Sequence, residues 1–169
     1  MKVLLWIMMA FIFGFSAAKA PVDQRIDSLG HLLNLRPKPT KLLYIASGIC
    51  PQPRTTKKAP LSYIRKQNPL PATAKNVGRG KVLYQKEAKP TTCKMCHGIR
   101  GNGNGRLARG LKPAPRNFTC EETMRSLSDG QLFWVIKNGS TGTAMPAHKF
   151  SLGDKDIWRI IYYLKSFVR

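Results

Sequence analysis

The sequence predicts an all-α domain over residues 76–169, preceded by a proline-rich extended arm. Three observations carry this. Apolar residues of the C-terminal part recur at the three- and four-residue spacing of one helical face, with turn signals between the runs. No run there alternates apolar and polar residues as a half-buried strand would. Eight of the twelve prolines fall in residues 21–75, with ten basic residues and only two acids, Asp23 and Asp27. Prolines interrupt every periodic run of that stretch, which leaves poor material for an independent core.

Residues 1–20 read as a cleavable secretory signal. Lys2 supplies the positive start, Val3 to Phe15 carries no charge, and Ala18-Lys19-Ala20 has the small-x-small form of a cleavage site. The rival reading is an uncleaved membrane anchor. Only 16 residues separate Lys2 from Lys19, about 24 Å of helix against a hydrocarbon core of about 30 Å. The expectation is export to a periplasm or similar compartment, with N-terminal anchoring as the alternative.

Within residues 21–75, Ile26, Leu29, Leu32 and Leu33 have helical spacing, and Leu42-Leu43-Tyr44-Ile45 forms a second apolar cluster. Such clusters favour a partly ordered arm, packed on the helical domain or on a partner, over a disordered basic tail. Further on, a helix is expected from Asn76-Val77 through Val82-Leu83-Tyr84, ending before Pro90. Thr119-Cys120-Glu121-Glu122 fits a capping box. Ser128-Asp129-Gly130-Gln131 fits a second, heading Leu132, Phe133, Val135 and Ile136, and Asn138-Gly139 stops that helix. The last helix starts near Asp154 and lays Ile157, Ile160, Ile161 and Leu164 on one face. It ends in Lys165 and Arg169, which suit a helix C-terminus. The run Gly101-Asn102-Gly103-Asn104-Gly105 follows no strand and lacks both dinucleotide and P-loop spacing, so it reads as a turn-rich loop.

Between the first helix and that loop stands Cys93-Lys94-Met95-Cys96-His97. Cys-x-x-Cys-His reads as the attachment site of one c-type haem. Its two thiols are spaced to meet two vinyl groups on one side of the porphyrin, and the histidine then lies beneath the iron as an axial ligand. A thioredoxin-like pair would want a flanking βαβ pattern, and zinc would want a second cysteine pair; the sequence offers neither. Candidates for the sixth ligand lie downstream. Met124 falls inside a predicted amphipathic helix and reads as core filling. Met145 lies in the loop Ser140-Thr141-Gly142-Thr143-Ala144-Met145-Pro146, stiffened by Pro146, and suits an axial role. His148 and then Cys120 stand in reserve. Were Met145 only packed on the haem edge, the iron would be open to small ligands. Cys50 and Cys120 are left as an even remainder; a disulfide between them and two free thiols both stay open.

With these motifs in order, residues 76–169 resemble a class I c-type cytochrome. The resemblance rests on Gly80-Lys81-Val82-Leu83-Tyr84, Cys93-x-x-Cys96-His97-Gly98, Gly139 followed by Met145-Pro146, and Ile160-Ile161-Tyr162-Tyr163-Leu164. It implies that Gly80 lets the N-terminal helix cross the C-terminal one closely, with Tyr84 and Tyr163 at the crossing. It also implies that Pro113 or Pro115 offers a carbonyl to His97, fixing the ring's tautomer and raising its basicity. Eight residues, Gln85 to Thr92, separate Tyr84 from Cys93, more than the family usually has, so a longer loop should lead into the motif. Nothing in the resemblance touches residues 21–75.

A haem with both axial positions filled leaves no place for substrate, and no paired-carboxylate constellation accompanies it. The expectation is therefore an electron-transfer protein and not an enzyme: an exported mono-haem cytochrome carrying single electrons between redox partners. One alternative is a non-catalytic electron-transfer subunit of a larger periplasmic or membrane-bound oxidoreductase. Another is a gas-binding haem protein with a labile Met145. Charge bears on partners. The chain has 29 basic and 8 acidic residues, net +21, and residues 76–169 hold 17 and 6 of them, net +11. Such a field suits redox proteins with acidic docking surfaces. Export argues against nucleic acid, while association with a membrane surface or a complex through the N-terminal extension stays open.

Overall fold

The computed structural model describes residues 49–52 and 55–168; the expected signal segment and residues 21–48 of the arm lie outside them. All regular structure among the described residues is helical. Helix α1 spans Leu61–Ile64, α2 Ala74–Val82, α3 Lys94–His97, α4 Glu121–Arg125, α5 Asp129–Asn138 and α6 Asp154–Lys165. None of these is long and apolar enough to cross a membrane.

Helix α2 starts where Thr73 Oγ1 accepts from the Asn76 N–H at 3.3 Å, an N-cap that satisfies one orphan donor. It runs on through one wide π turn, Leu83–Glu87, closed by the Ala88 N–H on the Leu83 carbonyl at 3.0 Å. The helix therefore stops before Pro90, and an irregular stretch leads to α3. Helix α2 crosses α6, and Gly80 makes the crossing possible. A Cβ there would lie 2.1 Å from the Arg159 carbonyl oxygen. Beside the crossing, Tyr84 and Tyr163 meet edge to face at 5.3 Å, and the Tyr84 hydroxyl donates to the Gly98 carbonyl at 2.7 Å. That bond ties the crossing to the end of α3.

Helices α5 and α6 close the core. Ser128 Oγ accepts from the Gln131 N–H at 3.1 Å, and Gly139, at φ 76°, ends α5. Ile157, Ile160, Ile161 and Leu164 of α6 are all buried, and Phe133 stacks on Trp158 at 4.2 Å. Burying large side chains in this way is worth about 1.5–3 kcal/mol each and holds the helices together.

Two expected caps differ from what forms. The capping box at Thr119 is absent. Asn117 Oδ1 takes both the Thr119 hydroxyl, at 2.7 Å, and the Thr119 N–H, at 2.9 Å. An Asx turn has outcompeted the cap, and Cys120 stands at the N-cap with no side-chain bond. At Ser128 only half of the box forms. The Gln131 amide points instead at the arm, accepting from the Ala59 N–H at 2.8 Å and donating to the Lys57 carbonyl at 3.1 Å.

The described part of the arm lies against the helices. Helix α1 packs on α5 with Tyr63 against Phe133, over Gly130, where a Cβ would fall 1.7 Å from the Tyr63 carbonyl oxygen. Asn68 donates to the Trp158 carbonyl at 2.8 Å, and the Tyr162 hydroxyl donates to the Leu70 carbonyl. Further back, Cys50 and Cys120 form a disulfide with Cα atoms 5.4 Å apart. This settles their state and removes Cys120 as a ligand candidate, because its sulfur is already bonded.

Candidate functional site

Helix α3 is one turn long, and backbone bonds from the glycine-rich loop hold it. The N–H groups of Gly103, Gly105 and Leu107 reach the carbonyls of His97, Cys96 and Met95 at 2.9, 2.9 and 2.7 Å. Those carbonyls would otherwise be orphans of a short helix. The loop thus serves as a cradle for the motif.

Cys93, Cys96, His97 and Met145 line one cleft that opens to solvent. Its walls are chiefly apolar, among them Leu111, Phe118 and Leu127, with Leu132 and Ile136 from α5 and Ile160 and Leu164 from α6. Cys93 and Cys96 are not disulfide-bonded. Burial pushes the Cys93 thiol up to about 12 and also raises Cys96. Among the described residues no three His, Cys, Asp or Glu side chains gather as a metal site.

His97 is buried, with its ring stacked on Phe118 at 4.5 Å. Its Nδ1 lies 2.9 Å from the Arg116 carbonyl oxygen. A carbonyl only accepts, so Nδ1 carries the proton and the neutral ring's lone pair sits on Nε2. The expected proline carbonyl is thereby corrected. Both Pro113 and Pro115 line the cleft, but the acceptor belongs to the residue after Pro115, where the chain bends back toward Phe118.

Met145 is set by its own loop. Its N–H donates to Thr143 Oγ1 and its carbonyl accepts from the Ser140 N–H, both at 3.2 Å, while Thr143 Oγ1 donates to the Ser140 carbonyl at 2.7 Å. His148, the reserve ligand, also lines the cleft. Its Nδ1 donates to the Lys89 carbonyl at 2.7 Å, and burial lowers its pKa despite that bond. Met124 is buried in the core and does not line the cleft. Sequence reasoning missed the Arg116 carbonyl, the stacking of Phe118 and the arm residue Gln52, whose amide bonds at Pro115 and Asn117. A backbone acceptor has no side-chain signature, and no spacing rule links residue 52 to residue 116.

Paired thiols, an imidazole with its lone pair on Nε2 and a thioether around one apolar cleft suit a covalently held haem with axial ligands. Together with the crossed α2 and α6, they define a class I c-type cytochrome domain. The chain belongs to the family described as cytochrome c oxidase, cbb3-type, subunit III, whose model matches residues 75–164. Such a domain binds haem c covalently, with its iron, and transfers electrons. Among solved structures, a reducing HAO-like protein complex of Kuenenia stuttgartiensis is similar at 26% identity, with a TM-score of 0.48. The match covers 60% of this chain, which spans about half (47%) of that one. None of the curated proteins matches the chain.

Proposed function

We propose that this protein is an exported mono-haem cytochrome that carries single electrons between redox partners. Cys93 and Cys96 would hold the haem through their sulfurs, and His97 Nε2 and Met145 Sδ would ligate its iron. The supporting observation is that these four side chains line one apolar cleft, with the His97 tautomer set by the Arg116 carbonyl. When bound, the haem supplies a one-electron redox centre. The residues around it do the rest. The Arg116 carbonyl keeps the His97 lone pair on Nε2, the Thr143 and Ser140 bonds hold Met145, and apolar side chains form most of the walls. Histidine–methionine ligation favours a raised reduction potential. With His97 and Met145 both on the iron, no coordination site would remain for substrate.

The basic excess of the chain supports partners with acidic docking faces, and the character of residues 1–20 supports export. A second reading, an electron-transfer subunit of a larger oxidoreductase, draws on the description of the family, itself that of an oxidase subunit. Size-exclusion chromatography of native protein separates the two: a carrier elutes as a small monomer and a subunit within an assembly. For the ligand set, Met145→Ala should abolish the thioether-to-ferric-iron charge-transfer band, lower the potential and let the reduced protein bind carbon monoxide. An unchanged band would move the role to another residue, His148 first.

A further inference from the structure

The arm reaches the peptide group that serves His97. Arg116 C=O, the acceptor from His97 Nδ1, and the Asn117 N–H belong to one peptide unit. Gln52 Oε1 accepts from that N–H at 2.8 Å, and Gln52 Nε2 donates to the preceding carbonyl, that of Pro115, at 2.8 Å. A continuous hydrogen-bonded chain therefore runs from the Gln52 amide through the Asn117–Arg116 peptide to the axial imidazole. Two other ties hold Gln52 in register. Arg116 Nη2 donates to Thr56 Oγ1 at 2.7 Å, and the Cys50–Cys120 disulfide clamps the chain two residues before Gln52 and three after Asn117.

We propose that Gln52 is a positioning residue for His97, acting through this peptide to set the donor strength of the axial imidazole and hence the reduction potential. The inference rests on the reading of His97 as haem ligand. The physical cause is polarisation. A peptide whose N–H is already bonded presents a more negative carbonyl oxygen, because successive hydrogen bonds reinforce one another. A stronger acceptor at Arg116 draws on the Nδ1 proton and makes the ring a better donor to ferric iron. Gripping both flanking peptide groups also stops the Arg116 carbonyl from turning away.

The test uses redox titration of the haem-loaded full protein. Gln52→Ala, and Gln52→Met, which keeps volume, should retain the low-spin spectrum and shift the potential upward. The expected size is up to about tenfold in the ferrous/ferric ratio, or ~59 mV for one electron. The His97 Nδ1–H resonance should exchange faster with solvent in both. Asn68→Ala loosens the arm at the Trp158 carbonyl instead and should leave the potential in place. An unmoved potential in both Gln52 variants, a downward shift, or an equal shift in Asn68→Ala would overturn the proposal. So would failure of both Gln52 variants to load haem while Asn68→Ala loads. His97→Ala distinguishes the underlying reading: if it keeps the native low-spin spectrum, His97 is no ligand. If it loses that spectrum while the Gln52 variants match wild type, only the role of Gln52 falls.

Discussion

His97 and His148 illustrate how a single hydrogen bond sets what a histidine can do. Each ring donates Nδ1–H to a backbone carbonyl, of Arg116 and of Lys89, and so each keeps its lone pair on Nε2. They differ in surroundings. His97 follows two cysteines on α3, whereas His148 belongs to the loop behind Met145 and secures that loop to the stretch before the motif. Burial lowers the His148 pKa below the ordinary 6.5. Below about pH 6.5 the unfolded chain therefore binds a proton that the folded one resists, and stability falls with pH until the folded value is passed. His148→Gln should flatten that acid limb in thermal melts between pH 7 and 5. A variant with the wild-type slope would show that other groups govern it.

At the scale of elements, the close approaches are backbone contacts, and they explain two glycines. Gly80→Ala would push a Cβ into the Arg159 carbonyl and Gly130→Ala into that of Tyr63. Each should cost about 1–3 kcal/mol by overpacking. The disulfide closes a separation of 70 residues. Replacing Cys50 and Cys120 by alanine should lower the unfolding free energy by about 4 kcal/mol, read by denaturant titration with haem bound. A loss under 1 kcal/mol would mean that the arm's other bonds suffice. The main helices were legible because α5 and α6 repeat apolar residues at helical spacing, and because Ser128 and Gly139 carry recognisable end signals. Thr119 misled because Asn117, two residues earlier, competes for the same hydroxyl. The motif and Met145 could be named from residue type and spacing. The Arg116 carbonyl and the Gln52 amide could not, since both depend on where distant backbone arrives.

For the whole molecule, charge is the property most readily measured in function. The basic excess of the chain produces a long-range field that salt screens over about 8 Å at physiological ionic strength. Electron exchange with an acidic redox protein should therefore slow steeply as salt rises from low to physiological concentration. A rate independent of salt would place the contact on short-range packing instead. The described arm belongs to this scale as well. Its prolines hid any periodic signal, and beside the disulfide and the Tyr63–Phe133 contact its attachment to the domain runs through scattered polar bonds, among them those at Gln52, Ala59, Asn68 and Leu70, which leave no pattern in a sequence.

The central claim is that haem is bonded to both cysteines of the motif. Acid–acetone extraction of the purified native protein, followed by mass spectrometry of its proteolytic peptides, tests it most directly. The haem should resist extraction and remain on a peptide containing Cys93 and Cys96, with neither thiol open to alkylation. Extraction of the haem into acetone, with both thiols alkylated, would contradict the account.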